Sequence, residues 1–384
     1  MAYIPYGRQD INNKDIEAVV DVLKSDWITQ GPTIEKFEQA TAEYCGVKYA
    51  VAVNSATSAL HIACMAAGLG TKDLLWTSPN SFVASANCGL YCNAEVDFVD
   101  IDPKTYNMSP EQLETKLAAA KNSNNLPKVV IPVHFSGQSC DMAAIHRLAC
   151  EYGFTTIEDA SHAIGGSYRD SKIGSCRYSD MTVLSFHPVK IITTAEGGMV
   201  LTNNPDLYKK LLLLRSHGIT RDSKLMLGEQ DGPWFYQQIE LGYNYRITDL
   251  QAALGLSQLS RIDEFVKRRH ALAARYNEKL ADLPLITPWQ NHECYSAWHL
   301  YVIKLDPTKR RRIFEELRRQ EIGVNVHYIP IHTQPYYRQH FGFAYGDFPL
   351  AEEYYQAATS LPMYYTLTYE QQDFVIDTLK KVLK

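Results

Sequence analysis

Seven short apolar runs, each closed by polar, glycine or proline residues, constrain this chain more than any other feature. They are Tyr49–Val53, Leu74–Thr77, Val96–Val99, Val129–Val133, Phe154–Ile157, Met181–Phe186 and Met199–Thr202. Between several of them lie stretches of helical spacing, Ala56–Ala67, Met142–Tyr152 and Leu207–Leu214. A strand apolar on both faces needs cover on both faces, and intervening helices supply it. The pattern predicts a doubly wound, mostly parallel α/β sheet. Two helices precede it: Asn12 and Asn13 stand as caps before Ile16, Val19, Val20 and Leu23, and Thr33 opens a run with Ile34, Phe37 and Tyr44. After a helix at Ile247–Leu259 the pattern changes. A charged amphipathic helix over Arg261–Leu280 leads to a strand (Trp298–Leu305), a helix (Lys309–Gln320), a strand (Ile322–Tyr328) and two more helices. This predicts a large α/β domain over 13–260 and a smaller α+β domain over 261–384, which residues 1–12 join.

Composition narrows the class. A 384-residue chain with 46% hydrophobic and 21% charged residues is that of a globular protein. Its net charge of −5 comes without a basic run, which argues against nucleic acid as a partner. No apolar run approaches the roughly 20 residues that span a bilayer. The opening Met-Ala-Tyr-Ile-Pro-Tyr-Gly-Arg lacks the layout of a signal peptide. Eight scattered cysteines, of which only Cys88 and Cys92 are close, complete no zinc site and read as free thiols. A cytoplasmic protein with no metal is expected.

Three segments carry chemistry, and each follows a predicted strand. In Ser185-Phe-His-Pro-Val-Lys190-Ile-Ile-Thr-Thr-Ala-Glu196-Gly-Gly198 one lysine sits between two apolar runs. Held at the mouth of a sheet, such a lysine is partly desolvated, which lowers its pKa and frees its amine for Schiff-base chemistry; a solvated loop lysine is the ordinary alternative. Asn54-Ser55-Ala56-Thr57-Ser58 opens a helix after a strand, where unpaired amides and small hydroxyls suit a phosphate, or simply cap the helix. Glu158-Asp159-Ala-Ser-His162 ends a strand, where open α/β sheets bind ligands. A carboxylate there suits a protonated pyridine nitrogen, and equally serves as an N-cap. Neither a P-loop nor a dinucleotide glycine fingerprint is present.

Together these segments resemble the pyridoxal phosphate (PLP) dependent sugar aminotransferases of fold type I known as the DegT/DnrJ/EryC1/StrS family, and the likeness runs from Tyr6 to about Tyr337. The resemblance implies that Lys190 bonds the cofactor and that Asp159 pairs with its pyridine nitrogen. It implies that His162 lies near the phenolic oxygen, that Ala56, Thr57 and Ser185 hold the phosphate, and that Phe82 stacks on the ring. The segment Leu241-Gly-Tyr-Asn244-Tyr-Arg246 is similar to one in which the asparagine reaches the phosphate of a neighbouring subunit, so a homodimer with shared active sites is implied. Asp26-Trp27-Ile28-Thr29 resembles the family's N-terminal sugar-contact loop, and Asn325-Val326-His327-Tyr328 with Tyr337 its nucleotide-sugar segment; Tyr6 falls on a substrate-contact position too. Ile191 is a small departure, where some members have proline.

The details are most similar to the branch that works in pseudaminic acid biosynthesis. They imply transfer of an amino group from L-glutamate, leaving 2-oxoglutarate, to a UDP-linked 4-keto-6-deoxy sugar. The alternative is a dTDP- or GDP-linked keto sugar; Lys190 argues against a sugar dehydratase, in which histidine replaces the lysine, and the Lys190–Asp159 pair argues against a non-catalytic regulator on the same fold.

Overall fold

The computed structural model describes residues 3–383. Its centre is a seven-stranded sheet of β1 (Tyr49–Val53), β2 (Leu74–Thr77), β3 (Glu95–Phe98), β4 (Val129–Ile131), β5 (Thr155–Asp159), β6 (Met181–Ser185) and β7 (Gly198–Thr202), in the order β1-β7-β6-β5-β4-β2-β3. The pairs from β6 through β5, β4 and β2 to β3 are parallel. β7 is antiparallel to both its neighbours. Its first residue, Gly198, therefore lies opposite Val53 and Ser185, the last residues of β1 and β6. Asp159 ends β5 beside them, paired with Val183. One edge of the sheet thus gathers the ends of three strands and the start of a fourth.

Helices cover both faces because the strands bury both. Those before and between the strands are α1 (Asn13–Leu23), α2 (Pro32–Cys45), α3 (Ala56–Ala66), α4 (Ala84–Tyr91), α5 (Pro110–Asn122) and α6 (Met142–Tyr152); α7 (Pro205–Arg215) and α8 (Asp249–Leu259) follow β7. Their starts are written locally. Asn12 makes a capping box with Asp15 on α1, Ser55 accepts from Ser58 N–H on α3, and Thr248 makes a capping box with Gln251 on α8. One apolar cluster joins β1, β2, β3 and β4 to α3 and α4, and another joins α2 and α8 to the opposite face of β6 and β7.

Beyond them α9 (Ile262–Leu280) serves two cores: Ile262, Phe265 and Val266 pack with α2 and β7, while Leu272, Ala273, Tyr276 and Leu280 pack with β8 (Tyr301–Lys304) and α10 (Pro307–Arg319). Ile4 joins that second core and bridges Ile322. β8 pairs antiparallel with β9 (Ala358–Leu361), which follows α11 (Pro335–Phe341) and α12 (Pro349–Ala357); α13 (Tyr369–Leu383) closes the described chain.

One expected strand does not form. Residues 322–328 make only isolated bridges, Ile322 to Ile4 and Asn325 to Ser360, so the segment touches β9 at one point and does not extend along it, while β9 pairs with β8. Six of the eight cysteines are buried, while Cys150 is exposed and Cys294 half-buried; all are free thiols. Among the described residues no helix is long and apolar enough to cross a membrane.

Candidate active site

A cavity of about 520 Å³ opens at the sheet edge where β1, β5 and β6 end. Its wall takes Ser55, Ala56 and Thr57 from the start of α3, Asp159 and His162 from the end of β5, and Ser185 and Lys190 from the end of β6 and the loop after it. Phe82, before α4, and Tyr6, Asn325, Val326, His327 and Tyr328 complete the predicted residues that it brings together.

Lys190 is half-buried. Burial pulls its ammonium down to about 8, against the opposing charge of Asp159. The Asp159 carboxylate is buried and fixed: Oδ2 accepts from Ser85 Oγ at 2.6 Å and Oδ1 from Ser161 N–H at 3.1 Å. His162 is a neutral ring, since burial first, and then the charges of Lys190 and His327, push it well below its ordinary value. Ser136, in a left-handed conformation (φ 63°), donates its N–H to His162 Nδ1 at 3.2 Å. The ring proton therefore sits on Nε2, 3.1 Å from the Tyr328 hydroxyl. Burial raises Tyr328 far above the usual phenol range. His327 is lowered to about 3, by burial and then by Lys190, and shares a 2.8 Å hydrogen bond with Ser360 Oγ.

Some expected residues lie elsewhere. Tyr337 is 2% exposed, packs against Phe98 and donates its hydroxyl to Asn87 Oδ1 at 2.7 Å, so it belongs to the core and not to the cavity wall. Its apolar body and single hydroxyl are both satisfied there. Asn244 and the run Asp26, Trp27, Ile28 and Thr29 are exposed and do not line the cavity of their own chain. They lie in neighbouring segments, since Thr29 bridges Thr248 and Asp249 accepts from the amides of Gly31 and Thr33.

Sequence reasoning missed two others. His299 packs against His162, its ring tilted by 44° with ring centres 4.4 Å apart, and lines the cavity. Ser85 lies in the same Ser-Pro-Asn-Ser-Phe-Val-Ala-Ser segment as Phe82, three residues on, and that spacing could have found it. Nothing local marks His299, which reaches the site from beyond α9.

Known proteins resemble this chain along almost its whole length. A family model described as the DegT/DnrJ/EryC1/StrS aminotransferase family matches residues 9–380. The spore coat polysaccharide biosynthesis protein SpsC of Bacillus subtilis is 39% identical, covering 100% of this chain and 97% of that protein. The UDP-4-amino-4,6-dideoxy-N-acetyl-beta-L-altrosamine transaminase of Campylobacter jejuni is 38% identical over 99% of this chain and 98% of that one. Among solved structures, Helicobacter pylori PseC, an aminotransferase involved in the biosynthesis of pseudoaminic acid, is similar at TM-score 0.90 and 31% identity over 99% of both chains. Spr1654 from Streptococcus pneumoniae in its PLP form is similar at TM-score 0.89 and 29% identity over 99% of this chain and 98% of that one.

The cavity fits pyridoxal phosphate on its own chemistry. Ser55 takes the Ser58 amide, leaving the amides of Ala56 and Thr57 with no intrahelical acceptor at the positive end of α3. A side chain on Gly198 would sit 2.6 Å from Ala56 N and fill that cradle. An anion cradle, an aromatic face 59% exposed at Phe82, a buried carboxylate and an amine of lowered pKa are the four groups such a cofactor asks for. With the family model matching from residue 9 to residue 380 and the donor set complete, this chain belongs to the DegT/DnrJ/EryC1/StrS aminotransferase family.

Proposed function

We propose that the protein transfers an amino group from L-glutamate to the C4 ketone of a UDP-linked 4-keto-6-deoxy-N-acetylhexosamine, as a step of pseudaminic acid biosynthesis. One observation carries the chemistry: an amine whose ammonium is lowered to about 8 faces the same cavity as a fixed, buried carboxylate. Pyridoxal phosphate, when bound, supplies an aldehyde for an amine and a ring that withdraws electrons.

The chain's own residues do the rest. The amides of Ala56 and Thr57, with the hydroxyls of Thr57 and Ser185, bind the phosphate at the start of α3. Asp159 holds a proton at the ring nitrogen, and Phe82 packs on the ring face. Lys190 releases and takes up a proton through its Nζ, which its low pKa permits near neutral pH. His162, protonated on Nε2, orients the Tyr328 hydroxyl, and the neutral rings of His162, His299 and His327 add polar atoms without adding charge. Tyr6, Asn325, Val326, His327 and Tyr328 grip the sugar, whose remote nucleotide contributes binding energy that orients the ketone.

A second copy of the chain supplies Asn244 and the Asp26–Thr29 loop to this cavity. What supports this is their exposure, their place in neighbouring segments, and the exposed Trp27, Ile28, Trp234 and Leu241 in the same two regions of sequence. The name of the Campylobacter relative favours the UDP sugar, and that of the Helicobacter one favours the pathway. SpsC, at similar identity, is named for spore coat polysaccharide biosynthesis and not for pseudaminic acid, so the second reading is an aminotransferase for another nucleotide-linked (dTDP- or GDP-) keto sugar. Incubation with glutamate and a panel of UDP-, dTDP- and GDP-linked 4-keto sugars, with mass spectrometry of the products, decides between them. Amination of the dTDP or GDP sugars alone overturns the first reading.

A further inference from the structure

Asp159 is supported from behind by a chain of two hydroxyls. Ser85 Oγ donates to Asp159 Oδ2 at 2.6 Å, and Ser81 Oγ lies 2.8 Å from Ser85 Oγ. A carboxylate only accepts, and Ser85 has a single hydroxyl proton, which goes to Asp159. The contact between the two serines is therefore donated by Ser81. The polarity of the chain is fixed from its carboxylate end: Ser81 to Ser85 to Asp159.

The chain is also held in place. Ser85 is 0% exposed, on the first turn of α4. That helix sits close on the sheet through Gly89, where a Cβ would fall 2.9 Å from Val96 Cγ2 and 3.2 Å from Leu75 Cβ. Ser81 lies at the other end, in the cavity wall. Hydrogen bonds to an ionised group are about twice as strong as neutral ones, and burial and chaining strengthen them further.

We propose that Ser85, backed by Ser81, is a positioning residue that keeps the proton shared between Asp159 and the cofactor's ring nitrogen on the nitrogen. The inference rests on the reading of Asp159 as the partner of that nitrogen. Each donor stabilises the charged carboxylate beside a charged ring. Remove one, and the neutral arrangement gains: the proton moves toward the Asp159 oxygen, and the ring withdraws electrons less.

The test uses the holoenzyme loaded with PLP carrying nitrogen-15 in its ring. The nitrogen signal of the bound cofactor and the rate of PLP loss on dilution are measured for wild type, Asp159→Asn, Ser85→Ala and Ser81→Ala. Ser85→Ala should move the signal toward its unprotonated position and speed PLP loss about tenfold; Ser81→Ala should do both in the same direction and by less. If Asp159→Asn moves the signal while both serine variants leave it in place, the serine inference is overturned and the reading of Asp159 stands. If Asp159→Asn leaves the signal in place, the reading of Asp159 fails and the inference fails with it. Should Ser85→Ala not fold, Ser81→Ala decides alone, and an unmoved signal in it overturns the proposal.

Discussion

At pH 7 an ordinary lysine is almost wholly ammonium, with no lone pair to offer a carbonyl. Lys190, lowered to about 8 chiefly by burial, is neutral about 300-fold more often at that pH. Its neutral fraction grows as pH rises and saturates once pH passes its pKa. PLP capture by stripped enzyme, followed by absorbance, should therefore climb from pH 6 to about 8 and then level off. A rate still climbing at pH 10 would return Lys190 to the ordinary lysine range. Lys190→Ala should keep the fold, lose transamination and bind PLP in a form that borohydride does not fix. Two tyrosines separate in the same way. Tyr328→Phe removes a hydroxyl from the cavity and leaves His162 Nε2–H without its partner, a loss of roughly 1–3 kcal/mol. The sugar half-reaction should drop by about one to two orders of magnitude in kcat/KM, with the glutamate half nearly unchanged; equal losses in both would assign Tyr328 to the cofactor. Tyr337→Ala should instead cost about 3–5 kcal/mol of stability in a denaturant titration and spare the kinetics of the folded fraction. The meeting of Lys190, Asp159 and Ser185 in one cavity was legible because each lies at or just after the end of a strand. Tyr337 was not, because an aromatic residue in a loop reads the same whether its ring faces a cavity or a core.

Among the elements, the turn between β1 and α3 is pressed closely against β7. Gly198 on β7 faces the backbone of Ser55 and Ala56 so closely that a Cβ would lie 2.6 Å from atoms of both. Gly198→Ala must push the start of α3 away from the sheet. PLP affinity should fall by at least about tenfold, roughly 1.4 kcal/mol, by equilibrium titration. A variant that binds PLP as wild type does would remove the α3 amides from the phosphate site. The strands β1 and β2 were legible to the residue because they are apolar on both faces and bounded by polar residues. The reversed direction of β7 was not, since an apolar run carries no arrow and only its partners fix which way it points. β9 was hidden as well: Ala358-Thr-Ser-Leu361 alternates weakly and follows α12 without a glycine or proline between. Its pairing with β8 is a long-range choice that no local pattern announces.

For the whole molecule, we propose that the two units divide along α9 and not ahead of it, because that helix serves one core with its first turns and another with its last. The shared site is testable by mixing subunits. Asn244→Ala and Lys190→Ala chains each damage every site in their own homodimers. In a mixed dimer with shared sites, one site carries both lesions and the other carries neither, so mixing should restore activity up to one intact site per mixed dimer. No recovery, with subunit exchange confirmed, would refute the exchange of Asn244 between copies. The antiparallel β7 has a further consequence. Ser185 and Gly198 are paired across adjacent strands, so the segment that carries Lys190 leaves and re-enters the sheet at neighbouring points, with Phe186 and Gly197 bonded at its neck. It is a cassette. Within it Ile191, Ile192, Thr193 and Thr194 are buried and anchor the loop to the core, so a protein engineer could vary His187, Pro188, Val189, Ala195 and Glu196 around Lys190 without rethreading the chain, and the resulting library would reshape the cavity on one scaffold.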